Sequence, residues 1–444
     1  MKLFSLLLSC AFVLTPVAFA QDHSTQFALP QAESIAAPLH VEDAVTEALA
    51  ANPEIRAAER RMALAKSKTW TASSLDDPML MVRDWDTPLR KPWDLNMAQP
   101  MFMLQRTFIN QDKRKMRAQV AAGDAGIAEA ELESQRQQVV AQVREICSVL
   151  LRNADERAVL THQNGLLKEA FSMALAQYTV GKVPQADVLR AQMALTRLGE
   201  RTIQLEEERD AARAQLNALM GRGAGDPVEV AGVYRTLDRL PTLDDLERLA
   251  LEHRPELTAL DRAIVQKNDE SKLARTAFKS DYTVGLGYML MPSGSAMRNA
   301  YMAEFSMNLP ALNRARHEGE AAQADLATRV TESEREARAN AVFLEVRQAQ
   351  VATLAAARRV RLYRDTLLPQ AEAAFKAALA AYQNNRAEFP TLIDSQSLLL
   401  EVETSTYTAA AAVDAGLAQL ERAIGTSLPN EINQNDKKME RTGK

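Results

Sequence analysis

Methionine is the metal-ligating residue that this chain concentrates. Ten of its 17 methionines fall within 79–103 and 289–307. A thioether is a soft ligand suited to Cu(I) or Ag(I), and Met289 and Met302 are the candidates for such a contact. Methionine is equally a flexible apolar filler, and the residues alone leave both readings open. Other chemistry is harder to assemble. His23, His40, His162, His253 and His317 are scattered without H-x-x-H spacing, and His317-Glu318 lacks a second histidine. There is no C-x-x-C, phosphate-binding loop or G-x-S-x-G, and Gly221-Arg-Gly-Ala-Gly has no strand before it. Asp76-Asp77 reads as a strand-entry cap rather than an acid–base pair. We therefore expect no catalytic residue and no cofactor.

The elements that carry these residues are mostly helical. Hydrophobic residues make up 47% and charged residues 25% of the 444, which excludes wholesale disorder. A formal net charge of −5 provides no global basic field, so no nucleic-acid partner is expected. With 16 glycines the chain has about half the average usage. Large folds that need many glycine turns are excluded, and long helices are favoured. Met1-Lys2, an apolar run to Val17 and Ala18-Phe19-Ala20 predict a secretory signal over 1–20. The run is shorter than the roughly 20 residues needed to span a bilayer. A faint lipoprotein box, Leu7-Leu8-Ser9-Cys10, is the lesser alternative. Cys147 lies in an i, i+3, i+4, i+7 apolar stripe from Val139 to Leu151 and reads as a small core residue.

The chain repeats itself. Asp43, Ala48, Leu49 and Pro53-Glu54 align with Asp245, Ala250, Leu251 and Pro255-Glu256, an offset of 202. Tyr178, Leu189, Gln192, Leu216 and Gly221 align with Tyr382, Ile393, Gln396, Leu420 and Gly425, an offset of 204. A duplicated unit follows. After an N-terminal extension (21–40), the first repeat is 41–221, a linker is 222–241, the second repeat is 242–425, and 426–444 reads as a disordered tail. Each repeat predicts a helix, a β-hairpin (76–105 and 281–310), a very long helix (107–178 and 311–382) and a return helix (185–220 and 389–424). A helix of about 72 residues is about 108 Å long, which implies a tube, bundle or coiled coil.

The second hairpin alternates. Val284, Leu286, Tyr288 and Leu290 share one face, and Thr283, Gly285, Gly287 and Met289 the other. Tyr301, Ala303, Phe305 and Met307 then oppose Met302, Glu304 and Ser306. Strands of 9–10 residues with this pattern match an outer-membrane barrel; a soluble sheet edge is the alternative. In the first hairpin Arg83, Asp84 and Asp86 interrupt the pattern, and Pro100 must sit at a strand end or bulge. Four strands are too few to close a barrel, so several chains would share one. Export, tube-length helices and membrane strands together describe an oligomeric conduit.

Over about 40–425 the sequence resembles the TolC-type outer-membrane efflux factors, particularly the heavy-metal efflux branch. Tyr178-Thr-Val-Gly181-Lys182-Val183-Pro-Gln-Ala-Asp187-Val188-Leu189-Arg190 is similar to the family's signature at its first helix hairpin. Leu216 to Gly221, Asn52-Pro53-Glu54-Ile55 and Asp77-Pro78 are similar to other family stretches, whereas Asn385 replaces the glycine expected after Tyr382. The resemblance implies a mainly helical chain with membrane β-structure. It implies a homotrimer whose subunits each lend four strands to an outer-membrane β-barrel and helices to a periplasmic α-barrel. It also implies a periplasmic membrane-fusion adaptor, a proton-driven inner-membrane pump of the RND type, and contact with outer-membrane lipid. The cargo implied is heavy-metal cations. Drugs, organic toxicants or secreted proteins are alternative cargoes, and a soluble periplasmic coiled-coil adaptor is the rival from another class.

On this resemblance the two helix reversals form the periplasmic tip. Tyr178, Gly181, Lys182, Val183, Asp187, Leu189, Arg190, Tyr382, Asn385, Arg386 and Leu392 are the expected docking residues, with Val183, Leu189 and Leu392 exposed. Asp187, Arg190, Arg386 and Asp394 are expected to form inter-subunit ion pairs that hold the aperture shut.

Overall fold

A computed structural model describes residues 38–85, 99–236, 239–291, 299–384 and 386–428. The expected signal, most of the extension and tail, Asp86, Met97, Met297 and Asn385 lie outside them. Helices α1 (Val41–Ala51) and α2 (Pro53–Ala72) precede strands β2 (Met79–Trp85) and β3 (Gln99–Phe108). Then come α3 (Gln111–Thr179) and its return, α4 (Gln185–Leu219). Two residues ahead of α1, β1 (Leu39–His40), pair in parallel with β4 (Val230–Ala231), so the linker region is partly structured. The order then recurs as α5 (Leu243–His253), α6 (Pro255–Arg275), β5 (Tyr282–Leu290), β6 (Asn299–Met307), α7 (Arg314–Leu362), α8 (Leu368–Gln383) and α9 (Phe389–Ile424).

At 69 residues α3 is about 104 Å long. The expected helix over 311–382 is not uniform. It opens with a 3-10 turn at Pro310–Asn313 and is interrupted by a π turn at Tyr363–Leu367. Pro369 explains the interruption, because it offers no N–H to the preceding turn. Among the described residues no helix is long and apolar enough to cross a membrane.

The helix breaks at Asn52-Pro53 and Arg254-Pro255 are locked in two different ways. Asn52 caps α2 by accepting from the Glu54 and Ile55 N–H groups, and its own amide donates to the Leu219 carbonyl at 2.9 Å. Arg254 instead donates to the Ala423 carbonyl at 3.0 Å and pairs with Glu256 and Glu345 at 2.7 and 2.5 Å, its side chain wholly buried. Both therefore tie a helix break to the end of a return helix.

Gly425 sits against the second break with φ +77, and a Cβ there would lie 2.6 Å from the His253 carbonyl oxygen. Gly425→Ala is expected to lose about 1–2 kcal/mol to the left-handed backbone alone, and the backbone overlap adds to that. Gly181, with φ +74 and open space around it, should lose only the conformational part. Thermal melts of the two variants check the order; equal losses would sink the clash argument.

One apolar core joins α1 to α4 around Val139, Val143, Cys147 and Leu216. Burial pushes the Cys147 thiol up to about 12, so it behaves as an inert core residue. A second core joins α5, α7 and α9 around Leu246, Val346 and Leu417. Polar bridges fasten α3 to α9. Gln396 donates to Gln163 at 2.9 Å, and Gln163 donates to Glu403 at 2.7 Å. Buried Glu156 on α3 accepts from Arg152, Arg201 of α4 and Thr408 of α9. Two long hairpins thus lie side by side.

Candidate functional site

The strands form one antiparallel sheet in the order β2-β3-β5-β6. Thr107–Thr283–Ser306, Gln105–Gly285–Glu304 and Met103–Gly287–Met302 stand in successive rows across it. Alternation puts two chemistries on its two faces. One face carries Leu80, Val82, Phe102, Leu104, Val284, Leu286 and Phe305, all exposed, with Leu286 at 68% and Tyr301 at 89%. Aromatic pairs lie at both ends of this face: Phe108–Tyr282 at 5.3 Å and Tyr282–Phe305 at 6.3 Å near the helices, Tyr288–Tyr301 at 5.4 Å near the far end. An apolar belt between aromatic girdles is what a bilayer solvates. The opposite face carries glycine, threonine, Gln105, Glu304, Arg83 and methionine. Met101 and Met103 there are 1% exposed. The strand runs through Arg83 and Asp84 without a break, so the interruption expected in the first hairpin is absent. Pro100 is the second residue of β3, opposite Asp84 at the end of the ladder.

At the other end of α3 the chain reverses twice. The Gly181 and Lys182 N–H groups donate to the Tyr178 and Gln177 carbonyls, which closes a left-handed helix cap. At the second reversal the Arg386 N–H donates to the Ala381 carbonyl in the same way. Tyr178 and Leu189 are exposed, as are Gly181, Lys182, Arg190, Arg386 and Asp394, while Val183 is half-buried.

Leu392 is not exposed as expected. It is 1% exposed and packs with Tyr382, Phe389 and Phe375 in a core between the hairpins. Tyr382 is likewise buried, its ring edge-on to Phe389 at 5.4 Å. The reason is helix rotation: position 392 falls on the α9 stripe that faces α8 and α3, which single-sequence periodicity does not locate. Asp187 is buried beside this core. Burial pushes its carboxyl above the ordinary aspartate range; Arg190 opposes the shift and Glu388 adds to it. Burial, with Asp187 nearby, also raises the Tyr382 hydroxyl. Among the described residues Arg190, Arg386 and Asp394 form no ion pair within the chain. Arg190 and Asp394 line one furrow of about 570 Å³ between α4 and α9, together with Met193, Arg197 and Arg201.

A family model described as outer membrane efflux protein matches residues 97–222, which hold β3, α3 and the first reversal. The chain is 26% identical to the cobalt-zinc-cadmium resistance protein CzcC of Cupriavidus metallidurans, over 92% of its own length and 97% of that protein's. The sequence is thus similar to the outer-membrane efflux proteins, CzcC among them. Solved structures agree in fold. CusC superposes with a TM-score of 0.73 at 15% identity, covering 90% of this chain and 97% of that one. VceC of Vibrio cholerae gives 0.72 at 17%, covering 88% and 97%. This efflux protein is thus an outer-membrane channel component that reaches into the periplasm, a passive conduit rather than an enzyme. Members of the family act as trimeric channels in tripartite systems with an adaptor and an inner-membrane pump.

Proposed function

We propose that this efflux protein carries heavy-metal cations out through a homotrimer that docks, by its helical tip, onto a periplasmic adaptor coupled to a proton-driven pump. The single observation that carries the proposal is the two-faced sheet at one end of a helix about 104 Å long, with the reversals at its other end. Among the described residues β2 and β6 are the outer strands of the sheet, and each offers a side on which a neighbouring subunit's strand would continue the ladder, since lipid supplies no hydrogen bonds. The near full-length similarity to CzcC favours metal cargo. Deleting the gene and scoring sensitivity tests it. Hypersensitivity to cobalt, zinc, cadmium, copper or silver supports it, and hypersensitivity confined to organic toxicants overturns it.

The tip reading makes its own prediction. Tyr178, Lys182, Val183 and Leu189 present the docking surface, and Leu392 is withdrawn from it. Arg190 and Asp394, without an ion pair among the described residues, meet partners on neighbouring subunits and hold the aperture closed. Arg190→Glu and Asp394→Arg should each raise single-channel conductance of the isolated protein severalfold. Unchanged conductance in both would remove these residues from the gate.

A further inference from the structure

The methionines of the sheet segregate to one face. Met79, Met81, Met101, Met103, Met289 and Met302 all fall on the face opposite the exposed apolar belt. Among the described side chains of that face no leucine, isoleucine, valine or phenylalanine appears, whereas the belt supplies many of these and a single methionine, Met307. An apolar filler has no reason to sort in this way, because leucine fills space as well as methionine does. The thioether itself is what distinguishes the face.

Register sharpens the point. Met81, Met103, Gly287 and Met302 form one row across all four strands. Met103 lies over the two glycines of β5. A Cβ on Gly285 would come within 3.1 Å of its sulfur, and one on Gly287 within 3.5 Å of its methyl. The glycines therefore clear the space that the methionine occupies. Donors on this face already find the sulfurs: Gln105 donates to Met79 at 3.5 Å and Arg83 to Met81 at 3.4 Å. Glu304 stands one row nearer the helices, and Arg83 one row nearer the strand ends. A cation leaving the periplasm would meet a carboxylate, then thioethers, then a guanidinium.

We infer that this methionine row is a transient binding site for soft monovalent cations, Cu(I) or Ag(I), inside the barrel wall. Zn²⁺ and Co²⁺ fit it poorly, because Zn²⁺ is held by thiolate, imidazole or carboxylate and a thioether brings no charge. Among the described residues no cluster of three histidine, cysteine, aspartate or glutamate side chains offers them an alternative. The guanidinium beyond the row keeps occupancy brief, as conduction demands. The inference rests on the reading of the sheet as a wall of a metal conduit.

The test uses full-length protein in detergent, labelled with methyl-¹³C methionine and titrated with silver nitrate or zinc sulfate in chloride-free buffer. Silver should shift the methyl resonances of Met81, Met103 and Met302, and zinc should not. The near-isosteric M81L/M103L/M302L variant should bind silver at least about tenfold more weakly, and M307L should match the parent. Unmoved methyls, or full affinity in the triple variant, overturn the site. Cellular tolerance separates the two claims. Restored cobalt or zinc tolerance without silver shifts sinks the site and spares the conduit. Silver shifts without restored tolerance to any metal sink the conduit's metal role and spare the site.

Discussion

Arg254→Ala is expected to destabilise the periplasmic body by about 3–5 kcal/mol, the usual consequence of breaking a buried ion pair from one side. The guanidinium is wholly buried and spans three elements: Glu256 on α6, Glu345 on α7 and the Ala423 carbonyl at the end of α9. Its removal leaves the Ala423 carbonyl without its side-chain donor and leaves Glu256 and Glu345 only Arg338 as a partner, at 3.6 and 3.1 Å, beside the α5, α7 and α9 core. The pH profile should change too. Burial alone would raise the Glu256 carboxyl, but Arg254 outweighs it and holds it below the ordinary glutamate range. A depressed carboxyl contributes stability above its unfolded pKa and loses it as pH falls through the folded one. The parent should therefore weaken on acidification through and below the usual glutamate range, and Arg254→Ala should show a shallower acid limb. Replacing Arg254 and Glu345 together by methionine and leucine should recover part of the loss. Thermal melts by circular dichroism across pH decide the matter. A melting point for Arg254→Ala near the parent's would show that the anchor contributes little.

That anchor shows where sequence reasoning reached and where it stopped. The alignment of Asn52-Pro53 with Arg254-Pro255 was visible, but the helix break at each was not: a single helix was expected where α1 and α2, and α5 and α6, are separate. Nor were the partners visible, because Ala423 is 169 residues from Arg254 in the chain and no local pattern connects them. Asn52 advertises itself as a cap by type; Arg254 does not. Strand faces were legible in β5 and β6, where period-2 alternation is local. In β2 the charges at Arg83 and Asp84 obscured it, since they sit near the strand end where the apolar belt has already stopped. The reversal at Tyr178 to Gly181 was legible from glycine. The burial of Leu392 was not, because which stripe of α9 faces inward is decided by α3 and α8 together.

Leu286→Arg should abolish recovery of the protein from the outer membrane. Leu286 is the central residue of the inner strand β5, 68% exposed on the apolar face and flanked in register by Leu104 and Ala303. On a lipid-facing surface that position lies near the bilayer midplane, where an arginine costs about 2–4 kcal/mol. Even the lower figure is a factor of roughly 30 per subunit, and in the proposed trimer every barrel would carry the change three times. Ser306→Arg is the control. It lies in β6 on the opposite face, beside Thr283, where a charge would point into water. Membrane fractionation should find Ser306→Arg in the outer membrane at parental levels and Leu286→Arg absent from it. If Leu286→Arg assembles normally, the exposed face does not meet lipid, and the methionine face loses its claim to be the lumen. The same sheet thus ties the membrane reading to the cargo reading: one substitution on the outer face tests the assumption on which the inner face depends.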